Sequence, residues 1–120
     1  MGSFRDLIAY RKVFDLSMDI FFETKKFPKE ETYSLIDQIR RSSRSVCSSI
    51  AEAYKKRKYP NHFVSKLTDA DMENGETQAW LDVSIACEYI TNDKYVELNK
   101  KSEEVTYLLI YMINNPGKFL

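Results

Sequence analysis

The sequence predicts an all-α protein, an antiparallel up-down-up-down four-helix bundle forming a single domain over residues 1–120. Three observations lead there. In four separate stretches, apolar and small residues recur at alternating steps of three and four, the period of a helix face packed against neighbours. The stretches are separated by short breaks that carry proline or helix-capping residues, which favours helices folded back beside one another. No run alternates at the period of a strand, and no internal repeat or low-complexity segment divides the 120 residues. A chain of this length buries roughly two-thirds of its extended surface on folding, enough for one core.

The first helix is expected over about 7–25. Tyr10, Val13, Phe14, Ser17, Ile20, Phe21 and Thr24 trace one face, and Met18 and Phe22 widen it. Asp6 is placed as its cap or first-turn acid. Lys25 and Lys26 suit the negative end of the helix dipole, and Phe27-Pro28 stops the helix. The second helix is expected over about 30–56, opened by Glu30 and Glu31. Its seam is Leu35, Ile39, Ser42, Val46, Ser49 and Ala53, which becomes smaller towards its C-terminal half. Five serines lie between Ser42 and Ser49. Serine is a mediocre helix former, so either a neighbouring helix approaches closely here or a row of hydroxyls faces a polar ligand.

Lys55 to Asn61 reads as the longest connection, with Pro60 fixing the restart. The third helix is expected over about 62–90, with Phe63, Leu67, Ala70, Asn74, Thr77, Leu81 and Ser84 on its seam. Asn74 is either buried and polar or marks a local opening. Gly75, which costs about 1 kcal/mol against alanine in a helix interior, leaves open a close helix crossing, a kink or a backbone approach to a ligand. Thr91-Asn92-Asp93 supplies a break and a cap for a fourth helix over about 92–114, with Tyr95, Leu98, Ser102, Val105, Leu109 and Met112 facing inward. Leu108, Ile110, Tyr111 and Ile113 make its last turns apolar nearly all round, which fits either a subunit interface or a deep position in the bundle.

Charge separates by segment. The 18 basic and 18 acidic residues cancel overall, which argues against coating nucleic acid by bulk positive charge. Arg40 to Lys58 nevertheless carries a net +6, and Asp69 to Glu104 a net −7. The cationic set is Arg40, Arg41, Arg44, Lys55, Lys56, Arg57 and Lys58, interleaved with Tyr54 and Tyr59. Such residues can hold phosphates and stack on unpaired bases, so RNA is one expected partner. The other reading has the cations meet acids of the third helix across a protein interface.

Catalytic chemistry finds little footing. His62 is the one histidine. No Glu-x-x-His pair, zinc-ligand cysteine spacing, glycine-rich phosphate loop or nucleophile elbow is present, so no catalytic residue, metal ligand or cofactor is assigned. Asp69, Glu73 and Glu76 form an acidic stripe that reads as a solvated or salt-bridged face, with a bound hard cation as the alternative. Glu52 is expected to pair with a basic group from another helix. Cys47 and Cys87 lie in helical patterns, and no secretory signal or apolar span of about 20 residues is seen, so a reduced, cytoplasmic protein with no membrane partner is expected.

The chain resembles the small four-helix-bundle proteins encoded in intervening sequences of bacterial 23S ribosomal RNA genes. The resemblance covers almost the whole chain. It rests on Phe4-Arg5-Asp6-Leu7, on Phe27-Pro28 with Glu31, Tyr33 and Leu35, and on Gln38-Ile39-Arg40-Arg41-Ser42-Ser43 with Ser45-Val46. Ile50-Ala51-Glu52 and Glu76-Thr77-Gln78 with Trp80-Leu81 complete it. The sequence departs from the family pattern at Tyr10, Ser49 and Ala53, and over Met72 to Gly75. The resemblance implies an antiparallel bundle, a ring of identical subunits expected to number five, and no established enzymatic activity. A related branch is similar to accessory proteins of diversity-generating retroelements, which implies contact with nucleic acid and a reverse transcriptase.

Overall fold

A computed structural model describes residues 2–120. Its helices are α1 (Ile8–Thr24), α2 (Leu35–Lys55), α3 (Pro60–Ala86) and α4 (Asn92–Asn114), with 3-10 turns at Phe4–Asp6, Lys29–Glu31 and Pro116–Lys118. No strand occurs among the described residues, and none of these helices is long and apolar enough to cross a membrane.

Side-chain contacts give the helix directions. Between α2 and α3, Ser42 meets Thr77, Ser49 meets Glu73 and Glu52 meets Lys66, so one number rises as the other falls. The same inversion relates Asp82 with Tyr95 and Asn74 with Thr106 across α3 and α4. It relates Lys12 with Glu104 and Asp15 with Lys101 across α1 and α4. Between α1 and α2 it relates Ser17 with Cys47 and Thr24 with Arg40. Every neighbouring pair is therefore antiparallel, in a bundle 44 × 25 × 21 Å across.

All six seam residues of α2 and all seven of α3 named above are buried; on α4, Leu98 to Met112 are buried and Tyr95 is half-buried. The small residues of α2 do bring a helix close. Ser42 and Ser49 are buried against α3, where Ser42 accepts a hydrogen bond from Thr77 at 2.9 Å. Asn74 is completely buried and satisfied. Its amide donates to the Ser102 carbonyl and to Thr106 Oγ1, both at 2.9 Å, while Ser102 Oγ donates back to Asn74 Oδ1 at 2.9 Å. Gly75 faces open space, with nothing within 4 Å of a Cβ built on it, and α3 runs unbroken through it. No helix of the same chain crosses there.

Helix α1 differs from expectation. Val13, Ser17, Ile20 and Thr24 are buried, but Ala9 and Leu16 complete the core face, Leu16 packing with Ile20, Ile39, Leu81 and Leu98. Tyr10 and Phe21 are half-buried, and Phe14 and Phe22 are exposed. Nearly every turn of α1 is apolar on two flanks, and the flank turned inward is the one whose side chains fit beside the seams of the other helices. Asp6 lies in the 3-10 turn before α1, where its carboxylate accepts from the Gly2 and Ser3 amides; Leu7 occupies the cap position and supplies no side-chain bond.

Three boundaries also move, and the longest connection is 25–34 between α1 and α2, not the one that follows Lys55. Helix α2 begins at Leu35, because Glu30 and Glu31 sit in a separate 3-10 turn. Glu31 accepts from the Leu35 amide at 3.3 Å and from the Tyr89 hydroxyl at 2.8 Å, tying that turn to the end of α3. Helix α3 starts on Pro60 and ends at Ala86. Glu88 follows with φ 63°, and the Tyr89 amide donates back to the Ser84 carbonyl at 3.0 Å, a left-handed helix stop usually occupied by glycine. The reversal lets Ile90 fold onto Phe27, Leu35 and Ile36. Thr91 caps α4, accepting from the Lys94 amide at 3.1 Å.

Candidate nucleic-acid interface

Helix α2 is strongly amphipathic, and its outer side carries the cations. Arg41, Arg44, Ser48 and Lys55 share one face at helical spacing, and all are exposed. Arg44 and Lys55 stand about 16 Å apart along the axis at 1.5 Å per residue. Past the end of α2, Lys56 and Lys58 extend the exposed charge into the turn. Arg41 lies 3.9 Å from Asp37 of its own helix, an exposed pair of little energetic weight. Arg44, Lys55, Lys56 and Lys58 make no ion pair among the described residues.

The other two cations are anchored. Arg40 donates to Thr24 Oγ1 at 2.9 Å and to the Phe21 carbonyl at 3.4 Å, with its guanidinium 4.8 Å from the Phe21 ring centre. Burial, then the nearby Arg44 charge, draws its pKa below the ordinary arginine value. Arg57 lies 3.7 Å from the Tyr54 ring centre and donates to the Tyr54 carbonyl at 3.0 Å and to the Phe119 carbonyl at 3.5 Å. Arg40 and Arg57 therefore brace the fold, and buried Tyr54 offers no open ring face. Tyr59 is exposed, beside His62.

The acids of α3 do not neutralise this surface within the chain. Among the described residues, the ion pair between α2 and α3 has the opposite polarity: Lys66 of α3 meets Glu52 of α2 at 2.7 Å. The bond to Glu52 is the leading cause of a raised Lys66 pKa. Asp69 lies 3.7 Å from Lys66, and Glu73 accepts from Ser49 Oγ at 2.6 Å. Burial pushes the Glu73 carboxyl above its ordinary range, and the Ser49 bond opposes the shift. Glu76 is exposed. No three metal-ligating side chains converge among the described residues.

Beside Arg40 and Arg44 lies an aromatic surface that the sequence pattern had assigned to the core. The Phe21 ring centre has Lys25 at 4.8 Å and Arg44 at 5.6 Å in addition to Arg40, and Lys25 lies 5.1 Å from the ring centre of Phe22. The available signal was Leu16, which fits the seam better than any of the rings and leaves the phenylalanines in excess on one flank.

The family model described as 23S rRNA-intervening sequence protein matches residues 5–111. Among solved structures, the chain is similar to a protein of unknown function from the S23 ribosomal protein family of Bacteroides thetaiotaomicron. The two are 31% identical with a TM-score of 0.81, over 89% of this chain and 96% of that one. No curated protein matches.

Proposed function

The chain belongs to the 23S rRNA-intervening sequence protein family, and on that premise we propose that it is a non-enzymatic, cytoplasmic, homo-oligomeric bundle, a ring of five subunits, that binds structured RNA through α2. The observation that carries this reading is the exposure of Arg41, Arg44, Lys55, Lys56 and Lys58 along α2 and its following turn, with none of them paired to an acid of α3. Cations so placed meet phosphates without first breaking a buried bond. Arg40 and Arg57 support the surface from behind.

Assembly would use other faces. Met72 and Val83 on α3, and Val96, Tyr107 and Ile110 on α4, are exposed apolar residues lying on helices other than α2. A second reading, a protein-binding or scaffolding ring with no nucleic-acid role, draws on the exposed Glu76 of α3 as a partner for a neighbour's α2. One double variant separates the two. Arg44→Glu with Lys56→Glu should abolish binding to a structured RNA while light scattering shows an unchanged assembled mass. A fall in mass on charge reversal, with no RNA bound by the parent protein, would favour the scaffolding reading.

A further inference from the structure

The flank of α1 beside the arginines is built for something flat. Tyr10, Phe14, Phe21 and Lys25 fall within about 60° of one another around the helix at 3.6 residues per turn. Tyr10 and Phe14 have ring centres 6.1 Å apart with planes inclined by 34°. They line a cleft of about 370 Å³ with Arg5, Arg11 and Asp15. Phe14 is 48% exposed and Phe22 59% exposed, whereas Phe21 is surrounded by Lys25, Arg40 and Arg44. Phe22 joins the flank through Phe21, the two rings meeting edge to face at 5.2 Å; exposed rings bordered by guanidinium and ammonium groups combine a stacking platform with a track for a phosphate backbone.

We propose that this α1 flank, with Arg44 of α2, takes unpaired nucleobases, so that the RNA bound is a single strand or an open loop and not a continuous duplex. The inference rests on the RNA reading above and adds the chemical form of the ligand. The faces of bases inside an A-form helix are covered by their neighbours, and its major groove is too narrow for side chains to read. A duplex would meet the lysines and leave Phe14 and Phe22 in water. An unpaired base can cover Phe14 in the Tyr10 cleft while its phosphates lie against Arg11 or Arg44. Asp15, the acid in that cleft, is 3.5 Å from Lys101, a cation it shares with Asp19.

The test is anisotropy of labelled oligoadenylate, and of a blunt RNA duplex of equal length, titrated with the full-length protein across a salt series. Phe14→Ser and Phe22→Ser alter exposed side chains, and circular dichroism and light scattering check that each variant folds and assembles like the parent. The expected result is tighter binding of the single strand, weakened about tenfold by each serine substitution, with the salt slope unchanged. A Phe14→Trp variant should show tryptophan emission quenched by oligoadenylate and not by the duplex. Equal affinity for both RNAs, with no effect of the serine variants but a loss on Arg44→Glu, would overturn the stacking inference and leave RNA binding standing. Binding of neither RNA at low salt would overturn both.

Discussion

Replacing Asn74 with aspartate exchanges an NH2 group for an oxygen at a position with no solvent exposure. The orientation of the amide is set by its surroundings, because the Ser102 carbonyl can only accept and therefore requires the Asn74 nitrogen at 2.9 Å. An aspartate would turn an acceptor towards that carbonyl and lose the donor to Thr106 Oγ1. Each lost bond is worth about 1 kcal/mol net. A buried charge left without a cation raises the total to about 3–5 kcal/mol, a large part of the 5–15 kcal/mol that usually holds a domain together. The substituted carboxyl would have a raised pKa, so the defect should be largest at neutral pH and shrink in acid, where the protonated form can again donate. Urea unfolding followed by circular dichroism, at pH 7 and pH 4.5, measures both parts. An unfolding free energy for Asn74→Asp within about 1 kcal/mol of the parent at pH 7, with equal slopes, would refute the buried Asn74–Ser102–Thr106 network.

Glu88→Gly should stabilise the chain by about 1 kcal/mol in the same assay, because residue 88 holds φ 63° at the end of α3 where a Cβ is unfavourable; no gain would mean that the turn relaxes away from this geometry. Glu73→Gln should remove a loss of stability that the parent shows as pH rises through the mildly acidic range. A carboxyl raised by burial binds protons more tightly folded than unfolded, so its contribution favours the native state in acid and is lost as pH rises from the ordinary value of 4.5 through the higher folded value. A parent curve that instead rises with pH across this window, with Glu73→Gln removing the rise, would contradict the sign. Alkylation followed by mass spectrometry should modify Cys87 well before Cys47, since Cys87 is exposed while burial raises the Cys47 thiol and limits its access; equal rates would count against the packing of Cys47 on Ser17.

Three of the four helix faces were legible in the sequence because α2, α3 and α4 each carry an inward row at steps of three and four; charged residues exclude most alternatives except in the last turns of α4, where Leu109 and Met112 are buried and Ile110 and Tyr111 exposed. Helix α1 was not, since phenylalanine satisfies a periodic pattern whether it faces the core or solvent, and the choice depends on partners far away in sequence. The cationic set was visible as a cluster, but its division was not. Arg40 is held by Thr24 and the Phe21 carbonyl, and Arg57 by the Phe119 carbonyl, contacts that no local spacing encodes. The start of α2 was obscured for a similar reason. Glu30 and Glu31 look like first-turn acids, yet the Glu31 carboxylate bonds to Tyr89, 58 residues away. The pairing of Glu52 with a basic residue of another helix was anticipated, and Lys66 supplies it.

The most direct test of the central claim is the slope of RNA affinity against salt. Five exposed cations, Arg41, Arg44, Lys55, Lys56 and Lys58, give a logarithmic slope of roughly −3.5 for a single strand if one subunit engages all of them. Affinity should then fall by about a hundredfold between 50 and 200 mM salt, and further if several subunits hold one RNA. Arg44→Ala or Lys56→Ala, each removing one cation, should make the slope shallower while the assembled mass stays constant. A parent protein that binds RNA with a slope near zero, or fails to bind at low salt as an intact assembly, would contradict a phosphate-binding role for α2.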